Sequence, residues 1–158
     1  MERPTSRTIA RPRASFLLRN KWLVLALLYA GAAAAYEPRV NYMLHCMGCH
    51  GTSAEGIPGK VPPLANSLTR FMRTATGRNY ILRVPGAANS ALSDAQLAAV
   101  LNWLAVTFDP SAKANNPAPF TGEEVSRLRH VPLVSVLAAR SAVVRDLAAT
   151  GPAPAARY

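Results

Sequence analysis

The chemistry in this chain is concentrated in Cys46-Met47-Gly48-Cys49-His50, a CxxCH spacing that reads as an attachment site for a c-type haem. Two thiols three positions apart fall on one side of a helical turn, where they can form thioethers with both vinyl groups of one porphyrin. The adjacent His50 is left facing the iron. One short segment therefore tethers the cofactor through Cys46 and Cys49 and supplies an axial ligand through His50.

Other uses of paired cysteines fit less well. A structural zinc site takes four ligands arriving from separate places. With only two cysteines in the chain, the remaining donors are His45 and His50, crowded into the same six residues. A thioredoxin-type pair sits within a βαβ unit, whereas here a glycine- and proline-rich loop follows, Gly51 to Gly59, with no such pattern. A small structural module in which the pentapeptide is accidental is the remaining alternative.

The elements that must position this segment are helical. Val40 to Met47 forms a short helix, with Pro38 near its first turn and Tyr42 one turn before Cys46, packed at the haem edge. The loop to Gly59 turns tightly beside a flat cofactor, and Lys60 to Leu64 is extended. There the Pro62 carbonyl is placed to accept the other ring N–H of His50 and so fix its tautomer. Ser67 caps a turn with Leu68, Phe71 and Met72, Gly77 punctuates, and Asn79 to Val84 sends Tyr80, Ile81 and Leu82 inward. Val84 to Ser90 reads as a loop. Ser93 and Gln96 then form a capping box for a helix whose Leu97, Val100, Leu101 and Leu104 repeat at helical spacing, ending near Thr107. Thr121 and Glu124 make a second capping box for a short helix to about Arg129. Pro132 restarts a helix to Leu147, with Leu133, Val136, Leu137, Arg140 and Val144 along one side.

The chain of 158 residues carries a formal charge of +10, much of it local. Arg3, Arg7, Arg11, Arg13, Arg19 and Lys21 stand against Glu2 alone, while from Tyr36 onward twelve Lys and Arg face seven Asp and Glu. With no basic aromatic stripe or zinc finger, this balance argues against nucleic acid and suits docking to an acidic protein partner. The basic residues 1 to 21 lead into an uninterrupted apolar run, Trp22 to Ala35, that grades into small residues. This is the order of a secretory signal peptide, with cleavage after Ala35. The run is shorter than the roughly 20 residues that span a bilayer, so an uncleaved anchor on the periplasmic face of the inner membrane is the alternative. No twin arginine precedes it. Export and haem c agree on a periplasmic location.

From about Val40 to Phe108 the chain resembles the class I c-type cytochrome domain. Tyr42 matches the aromatic before the attachment site, Cys46 and Cys49 the thioether cysteines, and His50 the proximal ligand. Pro62 and Leu64 match the family's proline-x-leucine, and Leu92-Ser93-Asp94 with Gln96 and Trp103 looks like the start and aromatic of its terminal helix. The resemblance implies an all-α fold: a small cytochrome c-like domain around one covalent haem, with a C-terminal helical extension. The expected organisation is a signal peptide at 1–35, a haem domain at 36–110, a linker at 111–119, the helical extension at 120–150 and a disordered tail at 151–158.

One departure stands out. The family commonly places a methionine followed by proline a few residues before its Leu-Ser-Asp element, where the sulfur closes the sixth position of the iron; here Val84-Pro85 stands in that place. Met72 is the substitute ligand, with an open or water-bound iron as the alternative. Met43, Met47 and His45 sit too close to the attachment turn, and His130 lies in the tail. The expected function is a one-haem carrier moving single electrons between a periplasmic dehydrogenase and an acceptor, either free or as a cytochrome subunit of the dehydrogenase. The haem iron holds the chemistry and the polypeptide sets its potential. A haem enzyme or gas sensor with an open iron is the second reading.

Overall fold

Every regular element in the described part of the chain is a helix, and the helix boundaries follow local capping chemistry. The computed structural model describes residues 37–110, 112, 117–149 and 151. The expected signal segment lies outside them, as do most of the linker expected at 111–119 and nearly all of the tail. The helices are α1 (Pro38–His45), α2 (Met47–His50), α3 (Leu68–Met72), α4 (Ala75–Arg83), α5 (Pro85–Ala88), α6 (Asp94–Phe108), α7 (Gly122–Leu128) and α8 (Val136–Ala148). Extended pairing among the described residues is limited to one isolated bridge, Ile57 to Val61. The all-α class expected from the sequence is the fold observed.

The longest helix among the described residues, α6, starts where the sequence places it. The Ser93 hydroxyl accepts from the Gln96 amide at 3.2 Å and the Gln96 side chain accepts from the Ser93 amide at 2.9 Å, so two otherwise orphaned donors are satisfied reciprocally. Leu97, Val100, Leu101 and Leu104 are all buried, and α6 packs on both α1 and α7.

Several boundaries differ from expectation for physical reasons. The helix expected at Val40–Met47 is two helices, broken at Cys46, whose φ of −128° leaves the helical region. Gly77 does not punctuate; it lies inside α4, where a Cβ would run into the Phe71 carbonyl oxygen. Only glycine lets α3 and α4 fold back that closely. The loop expected at Val84–Ser90 contains α5, with Pro85 in its first turn.

The C-terminal segment joins the same core as the haem segment. Phe120, Val125, Val143, Val144 and Leu147 are buried within it, each contributing about 1.5–3 kcal/mol of burial. Asn102 pairs with the backbone of Phe120 in both directions, at 2.8 and 2.9 Å. Thr121 caps α7 through the Glu124 amide, but the capping box is only half formed because the Glu124 carboxylate is taken by Arg78. Likewise Pro132 does not start α8: the Val131 and Pro132 carbonyls accept from Arg83 at 2.6 Å each, and Ser135 is the cap. Leu137, expected on the buried side of α8, is exposed, and Val143 is buried instead.

Part of the positive charge is thereby used internally. Arg78, Arg83 and Arg129 each reach from one part of the core to backbone carbonyls in another.

Candidate functional site

The attachment pentapeptide is built on two helical turns meeting at an angle. Cys46 caps the end of α1 through its amide to the Tyr42 carbonyl at 2.9 Å, and α2 then carries Cys49 and His50 before Gly51, at φ 77°, ends it. The two cysteines are not joined to each other; Cys49 is exposed and Cys46 half-buried. Burial pushes the Cys46 thiol up, and the neighbouring Cys49 adds to the shift.

Both thiols and His50 line a cleft of about 340 Å³. Pro62, Pro63 and Leu64 line it beside them, and Phe71, Ile81, Val84, Leu97, Leu101 and Leu104 supply apolar wall. Burial lowers the pKa of His50, so the imidazole is held neutral, the form that ligates iron; the Pro62 carbonyl partly opposes the shift. His50 Nδ1 is shut off from solvent without a hydrogen-bond partner, and Pro62 lines the cleft beside it.

The loop between His50 and Pro62 is folded by its own backbone. The Gly56 amide donates to the His50 carbonyl at 2.8 Å, and the Ala54 carbonyl accepts from both Leu64 and Ala65, at 2.9 and 3.0 Å. A Cβ on Gly56 would run into the Val61 carbonyl oxygen. The approach of the Pro62 segment to His50 therefore depends on that glycine.

Tyr42 and Met72 lie elsewhere. The Tyr42 ring is 1% exposed and is packed against Trp103 and Phe108, with centroids at 5.6 and 6.3 Å. It is not part of the cleft lining; its hydroxyl donates to the Gly51 carbonyl at 2.6 Å and pins the far side of the attachment turn. Burial, with Cys46 and Glu55 nearby, pushes its pKa up to about 12. Met72 is 4% exposed, on α3 within the hydrophobic core, and does not line the cleft. It is next to Phe71, which does, and helical geometry turns the two side chains to different faces. His130 borders a separate depression with Arg129 and Pro132.

The residues that sequence reasoning missed are Val136 and Arg140, one turn apart on α8, which complete the cleft wall. The sequence puts Arg140 on the packing side of that helix, but nothing in its local surroundings marks the cleft as its destination. The available signal is a positive charge at a position of the buried stripe.

The donor set fits one haem: two thiols and an imidazole on adjoining turns, a carbonyl beside the imidazole, and an apolar cleft. No group of three or more His, Cys, Asp or Glu capable of holding a bare metal ion occurs among the described residues. No family model matches the chain. It is 33% identical over 128 residues to a cytochrome c-552 of Thermus thermophilus, covering 70% of this chain and 86% of the relative. The chain belongs to the c-type cytochromes. A second cytochrome c-552 of the same organism is 35% identical over 102 residues, 53% of this chain and 78% of the relative. The first similarity covers more of the chain than 36–110 can supply, so it extends beyond the segment that carries the resemblance in sequence. As a c-type cytochrome the chain carries haem c, covalently bound through Cys46 and Cys49, and serves as a one-haem electron carrier with redox proteins as partners.

Proposed function

We propose that this cytochrome works in the periplasm, passing single electrons from a dehydrogenase to an acceptor, and that residues 1–35 direct its export. His50 is the proximal ligand, oriented by Pro62, with Leu64 packing on the haem and Tyr42 holding the attachment turn from behind. The observation that carries this reading is the exposure of the attachment segment: Cys49 and His45 are exposed while they line a largely apolar cleft. A porphyrin bonded there keeps one edge at the surface, where electrons can enter and leave, while the rest of the ring is excluded from water. Burial and the axial donor then set its potential.

No helix of the described residues is long and apolar enough to cross a membrane, which is compatible with a free periplasmic carrier. The export segment itself lies outside those residues. The C-terminal helices belong to the haem unit in this reading, so a dehydrogenase would dock at the exposed cleft edge rather than on a detached tail.

The test is expression with the native N-terminus in a host that matures c-type cytochromes. The expected product stains for haem on a denaturing gel, is found in the periplasmic fraction and begins at Tyr36. It is reduced by a periplasmic dehydrogenase at a rate that falls with ionic strength. Haem-stained protein retained in the membrane fraction with Trp22 to Ala35 attached would replace the free carrier with an anchored one.

A further inference from the structure

We propose that the haem face turned away from His50 is a binding site for a small anion, and that Arg140 is the residue that receives the anion's charge. This rests on the haem being bonded at Cys46 and Cys49.

Any side chain closing the sixth position of the iron must come from the cleft wall. Among the described residues that wall contains no methionine, and its sulfur and imidazole donors are Cys46, Cys49, His45 and His50. The cysteines are consumed by attachment. His45 ends α1 immediately before Cys46 and is exposed, so it belongs to the attachment side. Val84-Pro85 lines the cleft but offers no donor side chain. The wall formed by α3, α4 and α8 is mostly hydrocarbon, and a neutral phenol such as Tyr80 is a poor ligand for ferrous iron.

Arg140 is the buried cation in that wall; the other cation lining the cleft, Lys60, is exposed and lies two residues before Pro62, in the loop that approaches His50. Arg140 is 5% exposed and held by its place on α8, with its guanidinium 5.5 Å from the centre of the Phe71 ring. At that distance the guanidinium is in cation–π range of the ring, and its five N–H donors form a planar fork. Inside an apolar cleft a charge acts at low effective dielectric, so an anion on ferric iron gains a charge-assisted hydrogen bond. A neutral ligand on ferrous iron gains little. The site thus discriminates by charge: open to any small ligand, and selective for anions.

Two titrations of the holoprotein test this. The dithionite-reduced protein should bind carbon monoxide one to one, and Met72→Leu should bind it equally well. The ferric protein should bind azide, and Arg140→Met, which keeps an unbranched stem without the charge, should weaken azide by at least about tenfold while changing carbon monoxide affinity less than about threefold. Arg140→Lys should fall between, since a point charge replaces the fork. A purely structural Arg140 would alter both ligands together, and that result overturns its role. A far-red sulfur-to-iron band lost in Met72→Leu, a tyrosinate band lost in Tyr80→Phe, or no spectral response to carbon monoxide overturns the open site. The haem stain keeps these failures separate: protein that stains but binds neither ligand refutes this inference alone, whereas unstained protein refutes the cytochrome assignment. If Arg140→Met does not fold, Arg140→Lys and the carbon monoxide titration still decide.

Discussion

Arg78 and Glu124 meet in a two-point ion pair, Nε to Oε1 at 2.7 Å and Nη2 to Oε2 at 2.5 Å, linking α4 to α7 across 46 positions of sequence. The same guanidinium donates to the Ala118 and Pro119 carbonyls and lies 4.2 Å over the Phe120 ring. One side chain thus fixes the point where the chain returns to the core after Pro110.

Glu124→Gln should cost about 2–3 kcal/mol, because a largely buried guanidinium loses its charged partner, and Arg78→Ala should cost at least as much. Urea unfolding of the holoprotein reads both. The wild type should also show acid sensitivity that Glu124→Gln lacks. Arg78 holds the Glu124 carboxyl below its ordinary value near 4.5. A depressed folded-state pKa contributes stability that is present above the unfolded value and lost as pH falls through the folded one. The stability difference between wild type and Glu124→Gln should therefore shrink as the pH is lowered below about 4.5. An unchanged difference down to full protonation would assign the effect to packing.

Tyr42→Phe removes the hydroxyl that donates to the Gly51 carbonyl at 2.6 Å and should cost about 1–2 kcal/mol. Its pH signature has the opposite sign from that of Glu124. The folded pKa of Tyr42 is raised from 10.0 to about 12, so its contribution is complete below about 10 and lost as pH rises toward 12. Wild-type stability should fall through that window more steeply than that of Tyr42→Phe. Because the hydroxyl lies behind the attachment turn and outside the cleft, the haem spectrum at neutral pH should be the same in both proteins.

The contrast between Tyr42 and Arg140 shows what a sequence can disclose here. CxxCH is legible because attachment is a local geometry, set by three positions on one turn, and the Ser93–Gln96 cap is legible for the same reason. The individual helices follow from capping and periodicity, and the all-α class from the family resemblance. Tyr42 is legible as a neighbour of the attachment turn, one helical turn before Cys46, yet its side of that turn is not, because it depends on Trp103 and Phe108 arriving from α6. The destinations of Arg140 and Met72 are hidden for a related reason. Which residues reach the cleft is decided by how α8 crosses α3 and α4, a relationship across about 70 positions that neither helix encodes alone. The missing methionine before Leu92 is visible in the sequence, but its consequence emerges only from the cleft wall.

Gly77→Ala tests the α3–α4 corner. A Cβ there would overlap the Phe71 carbonyl oxygen and sit 2.8 Å from its carbonyl carbon, both backbone atoms that cannot rotate aside. The helix preference of alanine, worth about 1 kcal/mol, is outweighed by a forced separation of the two helices, and the net change should be about 1–3 kcal/mol destabilising. Because Phe71 lines the cleft, the haem absorption band should also shift. Thermal unfolding together with the visible spectrum measures both effects, and a stabilised variant would show that the corner opens without strain.

Arg129 ties down the segment before α6 in the same manner that Arg78 ties down the return of the chain. It is 6% exposed and donates to the Leu92 and Ser90 carbonyls at 2.8 Å each and to Asp94 at 3.0 Å. Without it these buried carbonyls lose their donors, and Arg129→Met should cost about 2–4 kcal/mol. Lysine should recover only part of this, since one ammonium cannot span carbonyls on both sides of the loop. The loop it holds includes Ala87 and Ser90, which line the cleft, so water should reach the haem more readily and the reduction potential should fall. Ser93→Ala provides the comparison: it frays the start of α6 at a cost of about 1 kcal/mol but leaves the Arg129 contacts in place. Its potential should match that of the wild type. Equal potentials in Ser93→Ala and Arg129→Met would mean that the loop is held by its own backbone and that Arg129 only anchors α7.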